Sequence, residues 1–394
     1  MRDDDWEEVD PEAYLFAHWR QKQEHAETLG PGEDTQDSFL VRWNALLELS
    51  PKERIRELAK SRERLDAARQ TPSDLSESAK LVVDVTEMAF LVNRTSMGTN
   101  KAGHTAEDRA LVKETEAIIR SVVEMLAESR LAVTLFQTVQ DRSNGHTLRH
   151  VVRVFTLMVG FLLSYNQLHS QGLGQKLRKA FSPLRRDAYR RLLPSLADNW
   201  MTSDNLVRLP ALSVKQIREY ALGALLHDVG KIMDLDYFES ATNYDRDKTE
   251  SHPILGCGLF LRTYGTAHEE ARYIIGDHHN YLFHPDGYGL TRWERKRGQR
   301  VPLAPECSIT DTLGVYLGGA ALGFLPVEIC SLIDVYDALT DPTRTYKKSL
   351  TPGQTVPFIE TNFVAVGKID PILFQLFVDY LKSNGLEAMD VGIS

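Results

Sequence analysis

His227-Asp228-Val229-Gly230-Lys231 decides how this chain is read: an HDxGK sequence set among further histidines and carboxylates that could all ligate metal. An adjacent His and Asp offer two unlike ligands from one point of the backbone. The imidazole binds one ion as a neutral group, whereas the two carboxylate oxygens can bridge a pair of ions. On a helix Lys231 stands one turn beyond His227, where its ammonium can point at an anion resting on those ions. This arrangement suits metal-assisted hydrolysis of a phosphate ester. Nine of the twelve histidines lie between His146 and His284, so HDVGK is not an isolated dipeptide match.

Outward from it, in chain order, come Asn144 to Val154 (NGHTLRHVVRV), His252-Pro253 with Gly256, His278-His279, and Asp286-Gly287-Tyr288-Gly289. Ile333-Asp334-Val335-Tyr336-Asp337-Ala338-Leu339-Thr340, Arg344-Thr345-Tyr346-Lys347 and Gly367-Lys368-Ile369-Asp370-Pro371 follow. In this combination, over residues 140–385, the chain resembles the HD-GYP family. That family is a branch of the HD-domain metal phosphohydrolases and includes cyclic di-GMP phosphodiesterases.

The resemblance implies an all-α, HD-GYP-type helical catalytic domain and two divalent transition metals, iron or manganese. His150, His227, Asp228, His252, His278, His279 and Asp334 are the implied ligands, with Asp228 as the bridge. His146 stands one turn before His150, where members that build a third metal position carry a glutamate, so a third ion is left open. Asp228 and Lys231 are the expected catalytic pair. Asp286, Gly287, Tyr288, Asp337, Arg344 and Lys347 join Lys231 on the substrate side. Arg344 can grip a phosphate with two bonds, Lys347 acts as a point charge, and Asp337 reads best as orienting a ligand or water. Two cations about 3.5–4 Å apart turn a shared water into hydroxide near neutral pH for in-line attack on phosphorus. Cyclic di-GMP or a related cyclic dinucleotide is the expected substrate.

Local geometry adds three expectations. His252 begins a helix, with Pro253 in its first turn. His278 and His279 are about 100° apart on a helix, so at a helix end each serves a different ion. Asp337 lies one turn beyond Asp334. The chain also departs from the family pattern. Asn280 follows the paired histidines where glutamate is usual, and the DGxGYP run reads DGYGLT, with Leu290-Thr291 for Tyr-Pro. Loss of a proline's fixed φ predicts a looser loop, with Tyr288 as the aromatic left to meet a base. These departures keep two other readings open. One is a metal-binding but slow or inactive relative that senses a nucleotide or works through protein contacts; the other is a hydrolase of another nucleotide.

Composition narrows the class. In 394 residues, 42% hydrophobic and 26% charged is ordinary for a globular protein, and a net charge of -9 argues against DNA as a direct partner. Three cysteines without CxxC spacing indicate neither a disulfide framework nor a zinc knuckle, and fit a reducing cytoplasm. The start (MRDDDWEEVD) is the opposite of a signal peptide. The apolar stretch 151–165 carries Arg153 and is shorter than the ~20 residues of a span, so it reads as a buried helix rather than a transmembrane segment.

Residues 1–35 read as a polar, acidic arm. Residues 36–139 read as a helical N-terminal domain, and 140–394 as the catalytic domain. The N-terminal helices suit packing or homodimerisation, with regulatory sensing and signalling partner proteins as the alternative. A basic run at 176–191 reads as a solvated helix face, or else as a dock for an acidic partner or an anionic ligand.

Overall fold

The structure is a computed structural model that describes residues 44–70, 74–99, 103–128, 134, 138, 146–171, 211–234, 245–281, 284–296, 325–341 and 349–386. Helix makes up 83% of them and none lies in a strand, so the fold is all-α as expected. The acidic arm, the basic run, Arg344, Lys347 and the side chain of His146 lie outside the described residues.

The helices start where local chemistry starts them. Ser50 and Glu53 exchange backbone and side-chain bonds (2.8 and 3.4 Å) to open α1, Pro51–Gln70, with proline at its first position. After α2, Leu75–Thr99, a second such box between Thr105 and Asp108 opens α3, Ala106–Glu128. The apolar stretch around 151–165 belongs to α4, His146–Ser170. Ser213 and Gln216 box the start of α5, Val214–Leu226, which runs into a 3₁₀ segment, Val229–Asp234.

Then follow α6 (Arg246–Tyr264), α7 (Glu269–Asp277), α8 (Leu290–Lys296) and α9 (Leu325–Thr340). The last elements are α10 (Pro352–Ile359), a π-helical turn (Glu360–Val364) and α11 (Pro371–Ser383).

α4 passes the length and composition test for a membrane span over Thr147–Leu168, yet most of that stretch is buried inside the protein. It packs on α5, α9 and α2, burying Phe155 and Phe161 at about 1.5–3 kcal/mol each. One hydrophobic cluster extends from Leu46 to Leu386, so α2 and α3 share the core of α4, α5 and α6.

One expectation is corrected here. α6 begins at Arg246, not at His252, because Asp245 caps it by accepting from the Lys248 N–H at 3.2 Å. Pro253 therefore sits in the helix interior.

His268, at the N-cap of α7, ties that helix to its neighbours. Its Nδ1 is 2.8 Å from Glu219 on α5, and its Nε2 is 3.4 Å from Glu116 on α3. The Glu219 hydrogen bond, outweighing burial, raises its pKa above 6.5, with Glu116 adding to the rise and Lys215 opposing it. A raised folded pKa stabilises the fold fully below the unfolded value, and the gain disappears as pH rises through the folded one. Glu219→Gln should shrink the part of the parent's stability that is lost as pH rises through the raised His268 value. Equal pH slopes of denaturant midpoint in parent and variant would contradict this.

Candidate metal centre

Five of these elements converge their ligand-type side chains in the interior. His150 comes from α4, and His227 and Asp228 follow the end of α5. His252 lies in α6, His278 and His279 follow α7, and Asp334 lies in α9. They form two buried groups, His150–His227–Asp228 and His252–His278–His279, either of which can hold a metal ion.

Asp228 stands between the groups. Its Oδ2 is 3.4 Å from His150 Nε2 and 3.5 Å from His227 Nε2. Its Oδ1 is 3.2 Å from His252 Nε2 and 3.9 Å from His278 Nε2. Asp334 also spans them, with Oδ1 2.9 Å from His150 Nε2 and Oδ2 3.5 Å from His279 Nδ1. His278 and His279 do not divide between the groups as helical spacing suggested. α7 stops at Asp277 and the chain turns there, which carries both rings towards His252.

The tautomers make the case for cations. His227 Nδ1 lies 2.8 Å from Ala224 O, His252 Nδ1 2.6 Å from Thr249 O, and His278 Nδ1 3.1 Å from both Ile274 O and Ile275 O. A carbonyl oxygen only accepts, so each of these Nδ1 atoms carries the proton and each neutral ring keeps a bare lone pair on Nε2. Burial pushes His252 and His278 down to about 4 and lowers His227 and His279, so these rings are neutral near pH 7.

The bare nitrogens of His252 and His278 are 3.2 Å apart, and His252 Nε2 faces a carboxylate oxygen at the same distance. Acceptors facing acceptors in a buried site repel one another, and a cation among them converts each repulsion into a bond. Five imidazoles with two carboxylates give a set of N and O donors able to hold metal ions.

His150 differs. Its Nδ1 is 2.7 Å from Asp337 Oδ2, and the other Asp337 oxygen is 2.5 Å from Arg153 Nε, all at 0–2% side-chain exposure. Burial opposes its cationic form, but the bonds to Asp334 and Asp337 outweigh burial and raise its pKa to about 9. Asp337 thus orients a ligand, and it is too buried to meet a substrate. Arg153 was legible only as a lone charge in an apolar run; in such a run that signals a buried partner.

Lys231 is corrected in position. Three residues per turn in the 3₁₀ segment eclipse i and i+3, which brings its ammonium to 2.5 Å from Asp228 Oδ2 rather than over His227. The Lys231 ammonium holds the Asp228 carboxyl well below its ordinary range although burial alone would raise it. Gly230 lets this segment touch α6, since a Cβ there would lie 2.0 Å from His252 O.

The described residues of the altered loop are tied to their neighbours by hydrogen bonds. Thr291 stands where the resembled motif has a proline, and its backbone N–H, which proline lacks, donates to Asp277 Oδ1 at 3.0 Å; its hydroxyl bonds the other oxygen. Asn280 accepts from Arg292 Nε at 3.0 Å, and Tyr288 N–H donates to His279 O at 2.9 Å. A Cβ on Gly287 would lie 2.2 Å from Asn280 O, so the loop folds directly onto the turn that carries the two histidines. Half-buried Tyr288 leans on His279, with ring centroids 4.6 Å apart, and faces His252 at 6.4 Å. Asp286, 65% exposed, pairs instead with Lys368 at 2.7 Å, a partner that no local pattern marks. His284 stays outside both groups.

A scan against protein-family models finds no match, and neither do searches of curated proteins and of solved structures.

Proposed function

We propose that this chain is a metal-dependent phosphodiesterase of the HD-GYP type acting on cyclic di-GMP or a related cyclic dinucleotide. The observation that carries the reading is Asp228, whose two oxygens face two different buried clusters of imidazole nitrogens. Iron or manganese suits this mixed N and O donor set, held by His150, His227, Asp228, His252, His278, His279 and Asp334. When bound, such a pair supplies Lewis acidity for phosphoryl oxygens and lowers the pKa of water.

The protein's own groups do the rest. Asp228 joins the two halves and keeps their charge balanced. Lys231, with 15% of its side chain exposed, brings a positive charge to the rim of the site, where it can meet a phosphate oxygen. Tyr288 offers a ring beside the second cluster on which a base can stack, at ~1–3 kcal/mol per base.

The test is anaerobic purification, metal counting, and incubation with a panel of cyclic and linear nucleotides. Turnover of a cyclic dinucleotide with two ions bound is the expected result. Two ions bound with no turnover of any nucleotide would replace this reading with that of a non-catalytic sensor. Tyr288→Ala should raise KM for the cyclic dinucleotide roughly 5- to 150-fold, the range that stacking energy implies, with metal content unchanged. Parent-like kinetics would remove Tyr288 from recognition.

A further inference from the structure

The neutral rings of His227, His252 and His278 are each held through Nδ1 by a main-chain carbonyl, and the ring of His279 is not. Among the described residues the His279 ring makes a single hydrogen bond, between Nδ1 and the Tyr281 hydroxyl at 3.2 Å. Asp334 Oδ2 stands further off, at 3.5 Å from the same nitrogen. A bare Nδ1 would set its lone pair against that anion. The one proton of the neutral ring therefore belongs on Nδ1, where the phenol oxygen can accept it.

Tyr281 holds a backbone conformation that few side chains adopt. Its φ is 49°, in the left-handed region, and His104 is the only other such non-glycine among the described residues. Residues two apart on a helix point about 200° apart, so a continued α7 would aim the rings of 279 and 281 away from each other. The left-handed residue returns the phenol to the imidazole instead. The tyrosine ring also meets Phe363 edge-on, with centroids 5.9 Å apart and planes at 74°. Phe363 belongs to the π-helical turn, an irregularity that recurs at functional sites. A strained residue and an irregular helix thus brace one hydroxyl, and strain of this kind persists where a site needs it.

We propose that Tyr281 is a positioning residue: its hydroxyl accepts the His279 Nδ1–H, fixes that ring, and leaves Nε2 bare for a cation of the second cluster. The proposal rests on the reading of the two clusters as a metal centre. Support of this kind from beyond the ligands raises their basicity and holds their orientation.

The test uses the metal-free full chain with isotope-labelled histidine, above pH 7. Long-range proton–nitrogen NMR spectra should place the His279 proton on Nδ1 in the parent, protected from exchange with water. Tyr281→Phe keeps the ring and its packing on Phe363 and removes only the hydroxyl. In that variant the Nδ1 proton should lose its protection, while the His252 and His278 signals stay in place and show that the chain is folded.

Calorimetric titration with Mn²⁺ should show affinity at the second cluster weakened by about 10–100-fold in Tyr281→Phe, the usual cost of losing such a support. A tyrosine with a merely structural role would lower the thermal midpoint and leave both the Nδ1 proton and Mn²⁺ affinity as they were. A parent with the His279 proton on Nε2 overturns the proposal, and so does a Tyr281→Phe variant with a parent-like Nδ1 proton and Mn²⁺ affinity. Lost protection of that proton in a chain whose parent takes up no Mn²⁺ would instead sink the metal reading and leave the hold of Tyr281 on His279 standing.

Discussion

Asp228→Ala should lose the metals of both clusters and all phosphodiesterase turnover, with metal content per chain falling to background. The side chain touches both groups, so its removal leaves each with imidazoles alone and takes away the anionic charge that favours a divalent ion. The fold should survive, because the partner left behind, Lys231, is partly exposed and can turn to water.

Lys231→Ala gives the contrast. In the metal-free protein its ammonium competes with a cation for Asp228 Oδ2, so the variant should bind metal at least as well as the parent and lose phosphate chemistry only. Equal metal loss in both variants would contradict this division of roles. One ion retained in Asp228→Ala would show that an imidazole cluster suffices without the bridge.

Asp337→Ala should be the most destabilising single change at the site, by about 3–5 kcal/mol, because it removes the carboxylate paired with the buried Arg153 guanidinium. Against a typical total of about 5–15 kcal/mol, that moves the denaturant midpoint far down. The same change removes the acceptor for His150 Nδ1 and frees that ring to rotate. A second substitution, Arg153→Leu, should recover part of the loss by removing the buried charge. A cost below about 1 kcal/mol for Asp337→Ala would mean that this pair is not the one anchoring His150.

The helical class was legible because it is written locally. Capping residues such as Ser50 with Glu53 and Ser213 with Gln216 sit three positions apart and act on their own helix ends. The residues of the two buried groups were legible too, through His-Asp, His-His and the histidines spaced around them. What the local pattern misjudged were features with a choice between near neighbours. Asp245 outcompeted Pro253 as the start of α6, and the 3₁₀ turn moved Lys231 from His227 to Asp228.

The sequence by itself therefore determined an all-α chain and the residues able to hold metal, because propensity, capping and ligand chemistry are properties of a residue and its close neighbours. Only the tertiary structure decided how those ligands are aimed. His150 meets Asp337 across 187 positions, and His252 meets His278 across 26. It also decided that the Leu290-Thr291 departure is anchored through Asp277, 14 positions earlier. Which oxygen of Asp228 faces which cluster, and which nitrogen of each histidine keeps its proton, follow from carbonyls and carboxylates brought together by packing. No spacing along the chain encodes those distances.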